Sequence, residues 1–212
     1  MSSGIHHPKG RYHARVAIPS AHTVRLTRQT VLHEAIVLLD AEGFDALTMR
    51  RLAERLGVVP MAIYRHVANK EDLMVGVLDV AVSLVPLPSP DLPWRDGLDA
   101  LARAIRSTML AHPGIVGPLV SLPSLGPHGL AIGAYALGLM HAAGFGDTDA
   151  AHAPNAVITY TIGFVALEVP RLNGPADVFD DFVSEAQFDY GLQRLLDGIA
   201  TTAPRKAARG RR

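Results

Sequence analysis

From Leu26 onward, apolar residues recur with the 3.6-residue period of a helix. Val31, Leu32, Ala35, Ile36, Leu38 and Leu39 form one stripe, and Gly43 follows as a stop. Thr48 is suited to cap a short second helix, Met49–Leu56, which buries Leu52, Ala53 and Leu56 before Gly57 ends it. Pro60 fits the first turn of a third helix reaching about Val67, with Ile63 and Val67 inward. Asn69 caps a fourth, with Asp72 three residues on, that runs to about Val85. The proline-rich stretch Pro86–Pro93 marks a change of layer. Beyond it the spacing predicts helices over about Trp94–Ala111, His128–Phe145, Asp147–Val169 and Phe182–Ala200. Gly117–Leu125 reads as irregular, and Pro154 is expected to kink or restart its helix. No period-2 run with turn signals appears, so the predicted fold is all-α. Residues 1–25 read as a disordered basic arm, 26–72 as a three-helix head, 73–204 as a larger helical body and 205–212 as a disordered basic tail.

Composition supports a packed core: of the 212 residues, 49% are apolar and only 19% charged. The absence of cysteine excludes a disulfide scaffold, thiolate zinc sites, iron–sulfur clusters and a cysteine nucleophile. Aromatic residues, at 6%, are too sparse for a sugar platform or a base-stacking sheet. The formal charge of zero conceals a polarity. Residues 1–70 carry ten Lys/Arg against five acids, residues 71–204 five against fifteen, and the tail from Arg205 five bases and no acid. A basic end on an acidic body points to a part that touches a polyanion and a part that does not.

No apolar segment follows the basic N-terminus, so it does not read as a secretory signal. Ser107–Gly146 lacks Asp, Glu, Lys and Arg, but prolines break it, and its longest helical piece, about His128–Phe145, is short for a membrane span. A buried core or subunit-interface helix with Gly129 and Gly133 in G-x-x-x-G spacing is the better reading. The expectation is a cytoplasmic protein with no membrane partner.

A helix ending in Gly57, a tight turn and a short helix form a helix-turn-helix unit. Such a unit must pin the inner face of its second helix and leave the outer face to enter a major groove. Ile63 and Val67 serve the first purpose. Met61, Ala62 and Arg65 are left outward, ringed by Arg50, Arg51, Tyr64, His66 and Lys70, which are donors suited to phosphate oxygens. Arg51 and Arg55 flank Glu54 and read as a solvated charged face, and Tyr64 can either pack or bind phosphate.

The string Ala46–Leu73 resembles the DNA-binding domain of the TetR family of transcriptional regulators. The resemblance rests on Thr-x-Arg-x-Leu-Ala at Thr48–Ala53, on Leu56-Gly57-Val58, and on Tyr64-x-His66-Val67-x-Asn69-Lys70. The body resembles tetracycline-repressor-like members more loosely, through Trp94-Arg95, His112-Pro113-Gly114, Ala143-Gly144-Phe145, Gly163-Phe164 with Glu168, and Phe188…Gly191-Leu192. The resemblance implies a homodimeric repressor on double-stranded DNA with a palindromic operator. It also implies an effector pocket in the C-terminal helices and a dimer interface formed by the final two long helices. Carried over by position, Thr48 touches phosphate and Arg50 is the candidate for a bidentate guanine contact, which is worth about 1–3 kcal/mol of discrimination. Pro60, Met61, Ala62 and Arg65 fall where the family reads bases, and Tyr64, His66 and Lys70 where it holds phosphate.

Met109, Tyr135, Met140, His141, Tyr160, Phe164 and Glu168 are the candidates for an effector cavity. Glu168 ends a long apolar run, so it calls for a partner, a ligand or water. Where tetracycline-class repressors place a histidine on drug-bound magnesium this chain has Leu119, although Glu168 matches an acidic residue of that site. An apolar or aromatic effector therefore suits the lining better, with no metal and no cofactor. His6, His7, His13 and His22 read as part of a solvated arm that can reach a minor groove or phosphates, not as ligands. No G-x-S-x-G, H-E-x-x-H, P-loop or G-x-G-x-x-G is present, so no enzyme is expected. The alternative to a switchable repressor is a constitutive, architectural DNA-binding protein.

Overall fold

The computed structural model describes residues 26–121, 126–171 and 183–204, and among these its regular structure is all helix, with no strand. The N-terminal arm and the basic tail fall outside the described residues.

Helix α1 (Arg28–Glu42) starts where Thr27 is extended and its hydroxyl accepts the Thr30 N–H at 3.1 Å. It stops at Gly43, whose φ of 82° few other residues adopt. One tight helical turn, Phe44–Ala46, leads to α2 (Met49–Leu56), and Thr48 caps α2 by accepting the Arg51 N–H at 3.1 Å. Gly57 is left-handed (φ 66°, ψ 31°); its N–H donates to Glu54 O at 3.2 Å and the Val58 N–H to Ala53 O at 3.0 Å. This paired closure turns the chain sharply into α3 (Pro60–Ile63). Helix α3 is shorter than its sequence predicts, since Tyr64–His66 continue only as turns. The reason lies downstream: Asn69 must be extended to cap α4 (Lys70–Ser83), where its side chain accepts the Asp72 N–H at 2.8 Å. Val67 still donates to Ile63 O at 3.1 Å, and both side chains are buried as expected.

The body holds α5 (Trp94–Ala111), α6 (Val116–Ser121), α7 (Pro127–Ala142), α8 (Asp147–Glu168) and α9 (Glu185–Ala200). The expectation of an irregular 117–125 is corrected over 117–121. That stretch is helical because Pro118 falls in the first turn, where its missing N–H costs nothing. Residues 122–125, and the expected start of the last helix at Phe182, lie outside the described residues. Pro154 neither ends nor restarts α8, which runs unbroken past it while packed by α5, α7 and α9. With its following turn, α8 is long and apolar enough to cross a membrane by composition alone (mean hydropathy 1.2); it packs against α5, α6, α7 and α9.

Two cores result. Leu38, Leu39, Leu52, Ile63, Leu73 and Val77 centre the head. Leu98, Leu101, Met140, Val157, Phe188 and Leu192 centre the body. Helix α4 serves both, with Leu73 and Val77 in the head and Val82 against the body. Two carboxylates seal the joint between them. Asp40 of α1 accepts the Gly114 N–H at 3.0 Å and lies 2.8 Å from His112 Nδ1. Asp79 of α4 accepts the His128 N–H at 2.9 Å, which caps α7, and pairs with that histidine's Nδ1 at 2.9 Å. At Gly114 the two main chains nearly touch, as a Cβ there would lie 2.3 Å from the Leu39 carbonyl carbon.

Candidate nucleic-acid interface and effector cavity

The turn at Gly57 presents α3 outward. Ile63 and Val67 hold it to the core, while Met61 is 71% exposed, and Val59, Pro60, Tyr64 and Arg65 are exposed beside it. Ala62 and His66 are half-buried. Lys70 is exposed, its ammonium 5.1 Å from the Phe44 ring centroid. Thr48 and Arg50 flank this face from the start of α2. The Thr48 oxygen accepts an N–H as a cap, which leaves its own proton able to reach a phosphate oxygen. The Arg50 side chain is 87% exposed and touches only its helix neighbour Glu54, at 3.1 Å. The nine positions named from sequence for DNA contact lie on α2, α3, the turns after α3 and the starts of α2 and α4.

The neighbouring arginines do something else. Arg51 pairs with Glu42 at 2.8 Å and Arg55 with Glu34 at 2.6 Å, tying α2 to α1. The Arg51 hydrogen bonds hold the Glu42 carboxyl below the usual carboxylate range. Arg28, which sequence reasoning missed, bridges Asp72 at 2.6 Å and donates to the His66 carbonyl at 2.7 Å. It clamps the chain leaving α3 between the starts of α1 and α4, and it holds Asp72 below its ordinary range. Nothing in the local periodicity signals this clamp, because its partners are far apart in sequence.

In the body, α4, α5, α7 and α8 enclose a cavity of about 350 Å³. Ala81, Val82 and Val85 supply its α4 wall, and Ile105, Thr108 and Met109 its α5 wall. Gly129, Ile132, Gly133 and Ala136 of α7 face Ala150, Pro154, Asn155 and Ile158 of α8. The exposed residues Gly133, Leu137, Ala151 and Asn155 mark its mouth.

Of the seven residues named from sequence for this role, Met109 lines the cavity and the other six are placed elsewhere. Tyr135 reaches out to donate to the Ser89 carbonyl at 3.3 Å. Met140 is buried in the body core. His141 is on the surface, 3.4 Å from Asp147. Tyr160 stacks on Phe188 at 5.7 Å, Phe164 meets the same ring edge-on at 5.4 Å, and the Tyr160 hydroxyl donates to the Phe188 carbonyl. Glu168 has the partner its burial demanded: Arg106 meets it through two hydrogen bonds of 2.6 and 3.0 Å and lies 5.0 Å over the Phe188 ring. Sequence reasoning missed the lining by small residues. The spacing of Gly129 and Gly133, and a lone asparagine in an apolar run, were its available signals.

Comparison with known proteins matches both parts. Residues 31–77 fit the model of bacterial regulatory proteins of the tetR family, and residues 87–182 that of the tetracyclin repressor-like C-terminal domain. An HTH-type transcriptional regulator of Saccharopolyspora erythraea is 34% identical, the match covering 84% of this chain and 86% of the relative. The crystal structure of BioQ with its double-stranded DNA operator superposes with a TM-score of 0.68 at 33% identity, covering 83% of this chain and 99% of BioQ. That of Streptomyces coelicolor ActR in complex with actinorhodin does so at 0.74 and 26% identity, covering 86% and 100%. The chain belongs to the TetR family of DNA-binding transcriptional regulators, with a helix-turn-helix head and an all-helical body.

Proposed function

We propose that this regulator binds a palindromic operator as a homodimer, as a repressor, and leaves it when a small apolar or aromatic molecule fills the body cavity. The observation that carries this reading is the double role of α4, whose Leu73 and Val77 belong to the head core while Ala81 and Val82 wall the cavity. A ligand that prefers one position of α4 shifts the reading heads by that preference and no more. In this reading the boundary between the head, 26–72, and the body, 73–204, falls within α4, whose early turns still pack into the head core. Arg50 and Arg65 read bases with Pro60, Met61 and Ala62 against thymine methyls, while Thr48, Tyr64, His66 and Lys70 hold phosphates. Leu167 and Tyr190, large side chains exposed on α8 and α9, suit a face covered by a second copy. Such a protein works in the cytoplasm and has no catalytic role.

Selection of bound sequences from random duplex DNA near physiological salt tests the core of this reading. The expected result is a palindrome whose half-sites lie about one helical turn, roughly 34–36 Å, apart. Sequence-blind enrichment would instead favour the architectural alternative.

A further inference from the structure

Four arginines of the body pair with carboxylates away from the cavity: Arg106 with Glu168, Arg95 and Arg194 with Asp197, and Arg103 with Asp99 and Asp189. Among the described residues no ionisable side chain lines the cavity, and of these only Thr108 and Asn155 bring a side-chain oxygen or nitrogen to it. Neither makes a side-chain hydrogen bond among the described residues. A third polar group comes from the main chain. Pro154 lacks an N–H, so the Ala150 carbonyl on the same wall is denied the donor that a helix ordinarily supplies four residues on.

These groups call for a partner that donates as well as accepts, and the rest of the lining calls for none. Resting on the effector-binding reading above, we infer that the cavity takes an uncharged, largely apolar molecule bearing a hydroxyl. Its apolar body fills the space among Ile105, Met109 and Ile132, and its hydroxyl pairs with the polar groups of Thr108, Asn155 and Ala150. Anions are rejected because no cation among the described lining residues repays their dehydration. Metal chelates are rejected because no carboxylate or imidazole among the described lining residues can ligate them.

The test uses a matched pair of fluorescent probes, anthracene methanol and anthracene carboxylate, titrated into the full-length protein. The alcohol should bind at least about tenfold more tightly than the carboxylate. Asn155→Leu should weaken the alcohol about fivefold and leave plain anthracene unchanged. Gly133→Phe should abolish binding, because a Cβ there has no protein atom within 4 Å and the ring it carries would occupy the mouth. Gly133→Leu is the milder second variant, and thermal melts establish that both remain folded.

Equal or tighter binding of the carboxylate overturns the inference, as does failure of the alcohol to bind up to its solubility limit, or binding that survives Gly133→Phe. Operator release measured in the same samples separates this inference from the switch. Alcohol binding that leaves the protein on its operator removes the switch and keeps the ligand class. Release by the carboxylate alone keeps the switch and removes the ligand class.

Discussion

The head and the body are made of the same amphipathic helices but treat volume and charge in opposite ways. The head packs Leu38, Leu47, Leu52, Ile63 and Leu73 without exposure, and rims that core with the pairs Arg28–Asp72, Arg51–Glu42 and Arg55–Glu34. The body leaves about 350 Å³ unfilled and draws the pair Arg106–Glu168 into its packing instead. The contrast follows from their tasks. A surface that reads base edges must hold its donors in fixed register. A chamber for a ligand must keep space open and accept weaker packing around it.

Substitutions can break or sharpen this contrast. Glu168→Ala should have the largest effect, about 3 kcal/mol lost in denaturant unfolding, because Arg106 would be left charged in a site where the two side chains are only 16% and 13% exposed. Its operator selectivity should be unchanged at temperatures where it stays folded. Gly114→Ala comes next, at about 2 kcal/mol, since its Cβ would press on the main chain of α1, which cannot rotate away as a side chain does. Equal stability with wild type would contradict the close approach. Arg50→Ala should cost at least about 1 kcal/mol of discrimination at one base pair per half-site, with stability untouched. Equal losses on cognate and random DNA would remove Arg50 from the reading set.

Smaller effects concern the rim of the head. The Arg28 hydrogen bonds depress the Asp72 pKa in the folded protein. Their stabilisation is therefore complete above the ordinary aspartate pKa and is lost as pH falls through the depressed folded value. Asp72→Asn should accordingly flatten the acid limb of the stability profile, measured as urea midpoints from neutral to acid pH. Lys70→Ala should change least: a salt-dependence slope shallower by about one per half-site contact, with every sequence weakened alike.

The head was legible in the sequence because its signals are local. Thr48, Gly57 and Asn69 each act within a few residues of themselves, and Ile63 and Val67 declare an inner face by their spacing alone. The cavity was not, because it is defined by what is missing between helices far apart in the chain. Large side chains such as Tyr160 and Phe164 looked like lining and instead fill space against Phe188. Alanine and glycine, which look like packing residues, leave the space open. The short α3 illustrates the same limit, since its end is set by the cap of the next helix and not by its own pattern.

Pro154 has a mechanical consequence. A helix resists bending through its ladder of backbone hydrogen bonds, and at this rung α8 has none to lose. It is therefore the compliant wall of the chamber, able to flex around guests of different girth. Elsewhere the body meets the head at the close main-chain approach of Gly114 to Leu39, beside the Asp40 hydrogen bond, and backbone so placed has no rotamer in which to store a displacement. In the proposed switch, strain from a bound molecule would be taken up at α8 and passed on where Gly114 abuts α1, so that guests of varied bulk would produce one movement.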